Sequence, residues 1–95
     1  MTIEELKDKI TPIFEESGVS YAGVFGSFAR GENTSKSDID ILVSIEKPIG
    51  IYEFIGLQQK LEKILGRKVD LISKNNILSE FEHGIYQDLV SVYER

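Results

Sequence analysis

Two apolar runs rich in β-branched and aromatic residues, 19–25 and 39–45, flank a short polar link from Gly26 to Asp38. The runs read as strands. The link has room for one helical turn and a loop, and none for a helix laid across a sheet. The two strands are therefore expected to be antiparallel neighbours, with Ser27 and Asp38 at the same end. This pairing constrains the fold more than any other feature, because everything polar between the strands must gather at one sheet end.

Chemistry gathers there too. Asp38 and Asp40 are spaced i, i+2 at the head of the second run, so their side chains share one strand face, opposite Ile39, Ile41, Val43 and Ile45. Two carboxylates held that close repel, and one pKa rises unless a cation lies between them. The fitting cation is hard and oxygen-seeking, namely Mg²⁺, held by one or two carboxylates and substrate phosphates. Gly26-Ser27 supplies the other half. Gly26 permits close backbone approach, and Ser27 offers a hydroxyl and an N–H at a helix start, where anions are favoured. Arg30 lies at the same mouth, either to meet phosphate or to pair with a carboxylate. Lys36 reads as solvated.

The rest of the chain alternates. Residues 2–17 read as a helix opened by a Thr2/Glu5 capping box, with Ile3, Leu6, Ile10, Ile13 and Phe14 on one face. Pro12 predicts a kink or split between Asp8 and Thr11. Gly18 ends this helix. Residues 27–30 predict one helical turn and 31–37 a polar loop. Residues 51–65 form the strongest helical pattern, with Ile51, Phe54, Ile55, Gln58, Leu61, Ile64 and Leu65 assigned inward and Gly66 as its stop. Residues 69–72 read as a third strand. Strand, helix and strand at this spacing predict a right-handed parallel crossover. It would bring Asp70 to the face of Asp38 and Asp40. After a turn with an Asn cap, residues 77–87 predict a last helix with Leu78, Phe81, Ile85 and Leu89 inward. Residues 89–93 read as an edge strand or a free tail. His83, the only histidine, reads as a surface residue or a core-edge donor. The fold class is α/β (α+β), a small mixed sheet of three to four strands with helices packed on it, and residues 1–95 read as one domain.

Composition narrows the function. A net charge of −5, with 11 basic residues scattered along the chain, does not suit stable binding to nucleic acid, which needs clustered Lys and Arg. Cysteine is absent, which removes thiolate metal sites and Cys nucleophiles and is compatible with the cytoplasm. No apolar run approaches the ~18 residues of a membrane span, and the acidic start shows no secretory signal.

Asp38, Asp40 and Asp70 together suggest a two-Mg²⁺ site for phosphoryl-type displacement. Asp38 and Asp40 would touch both ions. Asp70 would bind the ion that activates an acceptor hydroxyl and would take its proton. Each motif alone also has a structural reading, as a turn cap, a solvated strand edge or a helix N-cap. Jointly they are specific. The stretch Gly26-Ser27-Phe28-Ala29-Arg30-Gly31 through Ser37-Asp38-Ile39-Asp40, followed by Val69-Asp70 after the crossover, resembles the polymerase-β-like nucleotidyltransferase superfamily. Its length is similar to that of the minimal nucleotidyltransferase (MNT) family.

That resemblance implies an antitoxin that transfers AMP from ATP to a tyrosine of a HEPN-family toxin, releasing pyrophosphate. It implies Gly26 and Ser27 as the phosphate-binding pair, Asp38 and Asp40 as the metal-binding pair, and Asp70 as the third carboxylate. It also implies an acceptor surface supplied by a partner or by a second copy of the chain, since no second domain is present to hold the acceptor. Two alternatives stay open: an antitoxin that acts by binding alone, and a free-standing transferase acting on a small molecule or an RNA end.

Overall fold

The computed structural model describes residues 1–32 and 37–95. The loop reading over 31–37 and the reading of Lys36 fall wholly or partly outside those residues. Thr2 caps α1 (Ile3–Ser17) as its sequence requires. The Glu5 N–H donates to Thr2 Oγ1 at 3.1 Å, and the Glu5 carboxylate accepts from the Thr2 N–H. Leu6, Ile10 and Phe14 are buried at i, i+4, i+8 and fasten the helix to the sheet.

Pro12 does not split α1, contrary to the sequence expectation; the helix is continuous through it. Pro12 and Asp8 both lie on the exposed side. The Asp8 carbonyl that loses its N–H partner therefore faces water, and the buried stripe holds the remaining turns in register. Gly18 then closes the helix with φ +78°.

The strands are β1 (Val19–Phe25), β2 (Ile39–Ile45), β3 (Val69–Ser73) and β4 (Val90–Glu94), in the sheet order β3-β2-β1-β4. β1 and β2 are antiparallel, with Phe25 opposite Asp40. β2 and β3 are parallel, with Asp40 opposite Asp70. β4 pairs antiparallel with β1, so the C-terminal segment is an edge strand and not a tail. The short α2 (Gly26–Ala29) follows β1 directly, and α3 (Ile51–Leu65) carries the crossover from β2 to β3.

Ile39, Ile41 and Val43 point from β2 into the core, with Val24 and Ala22 beside them on β1. α1 and α3 cover that face. The buried positions of α3 are Leu57, Leu61 and Leu65, with Phe54 half-buried. This corrects the sequence expectation: Ile51, Ile55 and Ile64 are 66%, 41% and 46% exposed. Apolar residues occur nearly all round this helix, and its contact with the sheet decides which stripe is buried. Gln58 and Glu62 also fix its rotation. Gln58 Nε2 donates to the Val69 carbonyl at 2.9 Å, and the Val69 N–H donates to Glu62 Oε2 at 3.0 Å. These bonds satisfy backbone groups on the outer edge of β3 that would otherwise be open to another strand.

The last helix, α4, spans Ser79–Asp88 and follows a single 3-10 turn at Lys74–Asn76. No asparagine caps it; Leu78 holds the N-cap position without a side-chain bond. None of its residues is buried, and Leu78 and Phe81, expected inward, are 60% and 58% exposed. Ile85 and Leu89 are half-buried. His83 is exposed. No helix among the described residues is long and apolar enough to cross a membrane.

Candidate nucleotidyl-transfer site

The site is built at one end of the sheet, on the face away from α1 and α3. β1 stops at Phe25 because Gly26 turns the chain with φ +71°, a conformation costly for any residue with a Cβ. Gly26 is needed for a second reason. A Cβ built there would collide with Asp40 Oδ2. The backbone of the Gly26-Ser27 turn thus lies directly against one carboxylate of the Asp pair. α2 then makes its single turn, with the Arg30 N–H donating to the Gly26 carbonyl at 3.1 Å and the Glu32 N–H to the Ser27 carbonyl at 2.9 Å. Phe28 is buried beneath it, and the Arg67 guanidinium lies 5.8 Å from the centre of the Phe28 ring.

Asp40 and Asp70 are register partners on parallel strands. Their Cα atoms are therefore separated by about 4.8 Å, the spacing of neighbouring strands, with both side chains on one face. Asp38 precedes β2 by one residue and is exposed, as is Asp70; Asp40 is half-buried. Burial raises the Asp40 carboxyl above the usual carboxylate range, and the nearby Asp70 and Asp38 carboxylates raise it further, while Arg30 opposes both. The Asp40 carboxyl thus lies within electrostatic reach of Asp38, Asp70 and Arg30.

One feature takes up an alternative the sequence left open, and one was not visible in it. Arg30 does pair with carboxylates. Its Nε donates to Glu32 Oε2 at 3.1 Å and its Nη1 to Asp88 Oδ2 at 2.7 Å, and these bonds hold its pKa above the ordinary arginine value. Asp88, the last residue of α4, was missed. It lies 58 residues from Arg30 in the chain, and a lone Asp at a helix end carries no local signal.

No three acidic or histidine side chains among the described residues converge closely enough to enclose an ion by themselves. Mg²⁺ does not need such a cage. It keeps several waters and is usually held by one or two carboxylates plus substrate phosphates. Asp38, Asp40 and Asp70 fit that use: they are hard oxygen donors, and a cation would relieve the repulsion that raises the Asp40 carboxyl.

Known proteins resemble this chain in sequence and in fold. The family pattern described as polymerase beta, nucleotidyltransferase matches residues 8–95. Protein adenylyltransferase MntA of Thermococcus cleftensis is 38% identical over 96 residues, covering 97% of this chain and 97% of that protein. Among solved structures, a toxin–antitoxin complex with AMP-PNP superposes with a TM-score of 0.82 at 22% identity, covering 94% of this chain and 73% of that one. A complex of a tri-AMPylated Shewanella oneidensis HEPN toxin with its MNT antitoxin gives 0.77 at 19% identity, covering 99% and 74%. At these identities the structures support the fold, and the sequence matches support descent. The chain belongs to the polymerase-β nucleotidyltransferase family.

Proposed function

We propose that this protein is an MNT-type antitoxin that transfers AMP from ATP to a tyrosine hydroxyl of a HEPN-family toxin, releasing pyrophosphate. The observation that carries the reading is the face-sharing register of Asp40 and Asp70 beside the Gly26-Ser27 turn. Support for the acceptor class comes from relatives: a protein adenylyltransferase at 38% identity, and a fold neighbour that is complexed with an AMPylated HEPN toxin.

In this reading the Gly26-Ser27 turn and Arg30 bind the triphosphate and orient the α-phosphorus toward the carboxylates. The acceptor oxygen attacks that phosphorus. An O–P bond forms to AMP, and the bond to the pyrophosphate leaving group breaks. The hydroxyl proton passes to a carboxylate oxygen of Asp70, which is exposed. Two Mg²⁺ ions held by Asp38, Asp40 and Asp70 would supply charge neutralisation for the attacking and leaving oxygens. The acceptor is brought by the partner, and residues 1–95 act as one catalytic unit.

The test is incubation with labelled ATP, Mg²⁺ and the cognate toxin. Label appears on toxin tyrosine and vanishes with Asp38→Ala or Asp40→Ala. A reading of neutralisation by binding alone draws on the exposed Leu78 and Phe81 of α4, surfaces suited to a protein contact. It predicts full neutralisation by an Asp38→Asn/Asp40→Asn double variant with no modified tyrosine.

A further inference from the structure

Arg30 is held in part by a group far from its own turn, Asp88 at the end of α4. Its backbone N–H is bonded to Gly26, whose Cα lies against Asp40, so the residue is anchored one turn from the carboxylates. Its side chain is long and, left alone, would sample many rotamers. Glu32 takes Nε and Asp88 takes one hydrogen of Nη1. A guanidinium has five N–H donors, so Nη2 and the second Nη1 hydrogen are engaged by neither carboxylate.

Asp88 is itself rigidly set. The next residue, Leu89, packs so closely on β1 that a Cβ at Gly23 would come within 2.7 Å of its Cδ1. Val90 then enters the sheet opposite Val24. Tyr21 and Ser91 share a hydrogen bond at 2.8 Å across the same pair of strands. The end of α4 is thus fixed to the strand that feeds the Gly26-Ser27 turn, and its carboxylate is aimed at Arg30.

We propose that Asp88 is a positioning residue for nucleotide binding: it orients the Arg30 guanidinium so that the donors left by Glu32 and Asp88 meet the β- and γ-phosphates of a nucleoside triphosphate. The inference rests on the nucleotidyl-transfer reading above. It goes beyond that reading by giving the otherwise peripheral α4 a part in substrate selection. A pre-set guanidinium binds a triphosphate without first losing its rotamer freedom. A nucleoside monophosphate, which has no β- or γ-phosphate, does not use it.

The test is calorimetric titration of the full chain with AMP-PNP and, separately, AMP, each with Mg²⁺. The proteins are wild type, Asp88→Ala, Arg30→Ala and the double variant. Asp88→Ala is expected to weaken AMP-PNP binding by about 2- to 10-fold and to leave AMP binding unchanged. The double variant binds AMP-PNP no more weakly than Arg30→Ala. Asp88→Asn, which keeps an acceptor oxygen but no charge, shows a smaller loss in the same direction and serves if the Ala variant does not fold. Equal or tighter AMP-PNP binding by Asp88→Ala overturns the inference, as do parallel losses for AMP-PNP and AMP, or additive losses in the double variant. If wild type binds AMP-PNP and Asp88→Ala matches it, only this inference falls. If wild type binds no AMP-PNP, the nucleotidyl-transfer reading falls and this inference with it.

Discussion

Asp40 and Asp70 face each other across the parallel pair β2 and β3, although 29 residues and a whole helix separate them in the chain. Burial and this neighbour together lift the Asp40 carboxyl above its usual range. A carboxylate whose pKa is raised on folding binds its proton more tightly in the native state. Stability is therefore lost as pH rises from the unfolded value through the folded one, and at neutral pH the ionised group is a net cost. Asp40→Asn is predicted to raise the melting temperature at pH 7 without metal. The advantage should shrink as pH falls below the ordinary Asp value, where both states are protonated. Melting curves across pH 3–8 check this, and an advantage that grows toward acid contradicts it.

Mg²⁺ should reverse that ranking. A ligand that binds only the native state stabilises it by about 2.7 kcal/mol at a free concentration of 100 Kd. Titration with Mg²⁺ and AMP-PNP is predicted to raise the melting temperature of wild type and to leave Asp38→Asn/Asp40→Asn nearly unmoved. Equal stabilisation of both proteins would place the metal elsewhere.

Gly26 is predicted to tolerate no side chain. Gly26→Ala combines a left-handed backbone with a collision at Asp40 Oδ2. The backbone alone costs about 1–2 kcal/mol, and the displaced carboxylate should abolish nucleotide binding. Gly18→Ala is the control. Its φ is +78°, but a Cβ there meets nothing within 4 Å, so it should lower the denaturation midpoint and spare AMP-PNP binding. Urea melts and nucleotide titrations on both variants separate the two effects.

The order of elements was readable because strong punctuation marks it. Gly18 and Gly66 stop α1 and α3 with positive φ, Gly26 stops β1, and alternating Ile39, Ile41 and Val43 define the core face of β2. The pairing of Asp40 with Asp70 was also readable, since a strand–helix–strand unit places β3 beside β2. The rotation of α3 was not. Isoleucines at 51, 55 and 64 look as apolar as Leu57 and Leu61, and only the sheet selects among them. The Pro12 outcome turned on exposure of the Asp8 carbonyl, which no local pattern reports. The Arg30–Asp88 bond joins distant segments through β4, whose pairing the sequence left open.

The corrected face of α3 carries its own prediction. Leu61 is fully buried, so Leu61→Ala should cost about 2–5 kcal/mol through lost burial and a residual cavity. Ile64→Ala, at a position 46% exposed, should cost about 0.5 kcal/mol or less. Chemical denaturation of the two variants decides it, and similar losses would restore the original helix face.

The most direct measurement is the intact mass of the proposed HEPN-type partner after incubation with this protein, ATP and Mg²⁺, with any modified peptide then sequenced. Under the proposed function the partner gains one or more AMP units on tyrosine, and the gain is absent when Asp40 is replaced by Asn. An unmodified toxin beside a folded, nucleotide-binding protein would contradict it, as would modification undiminished by that replacement.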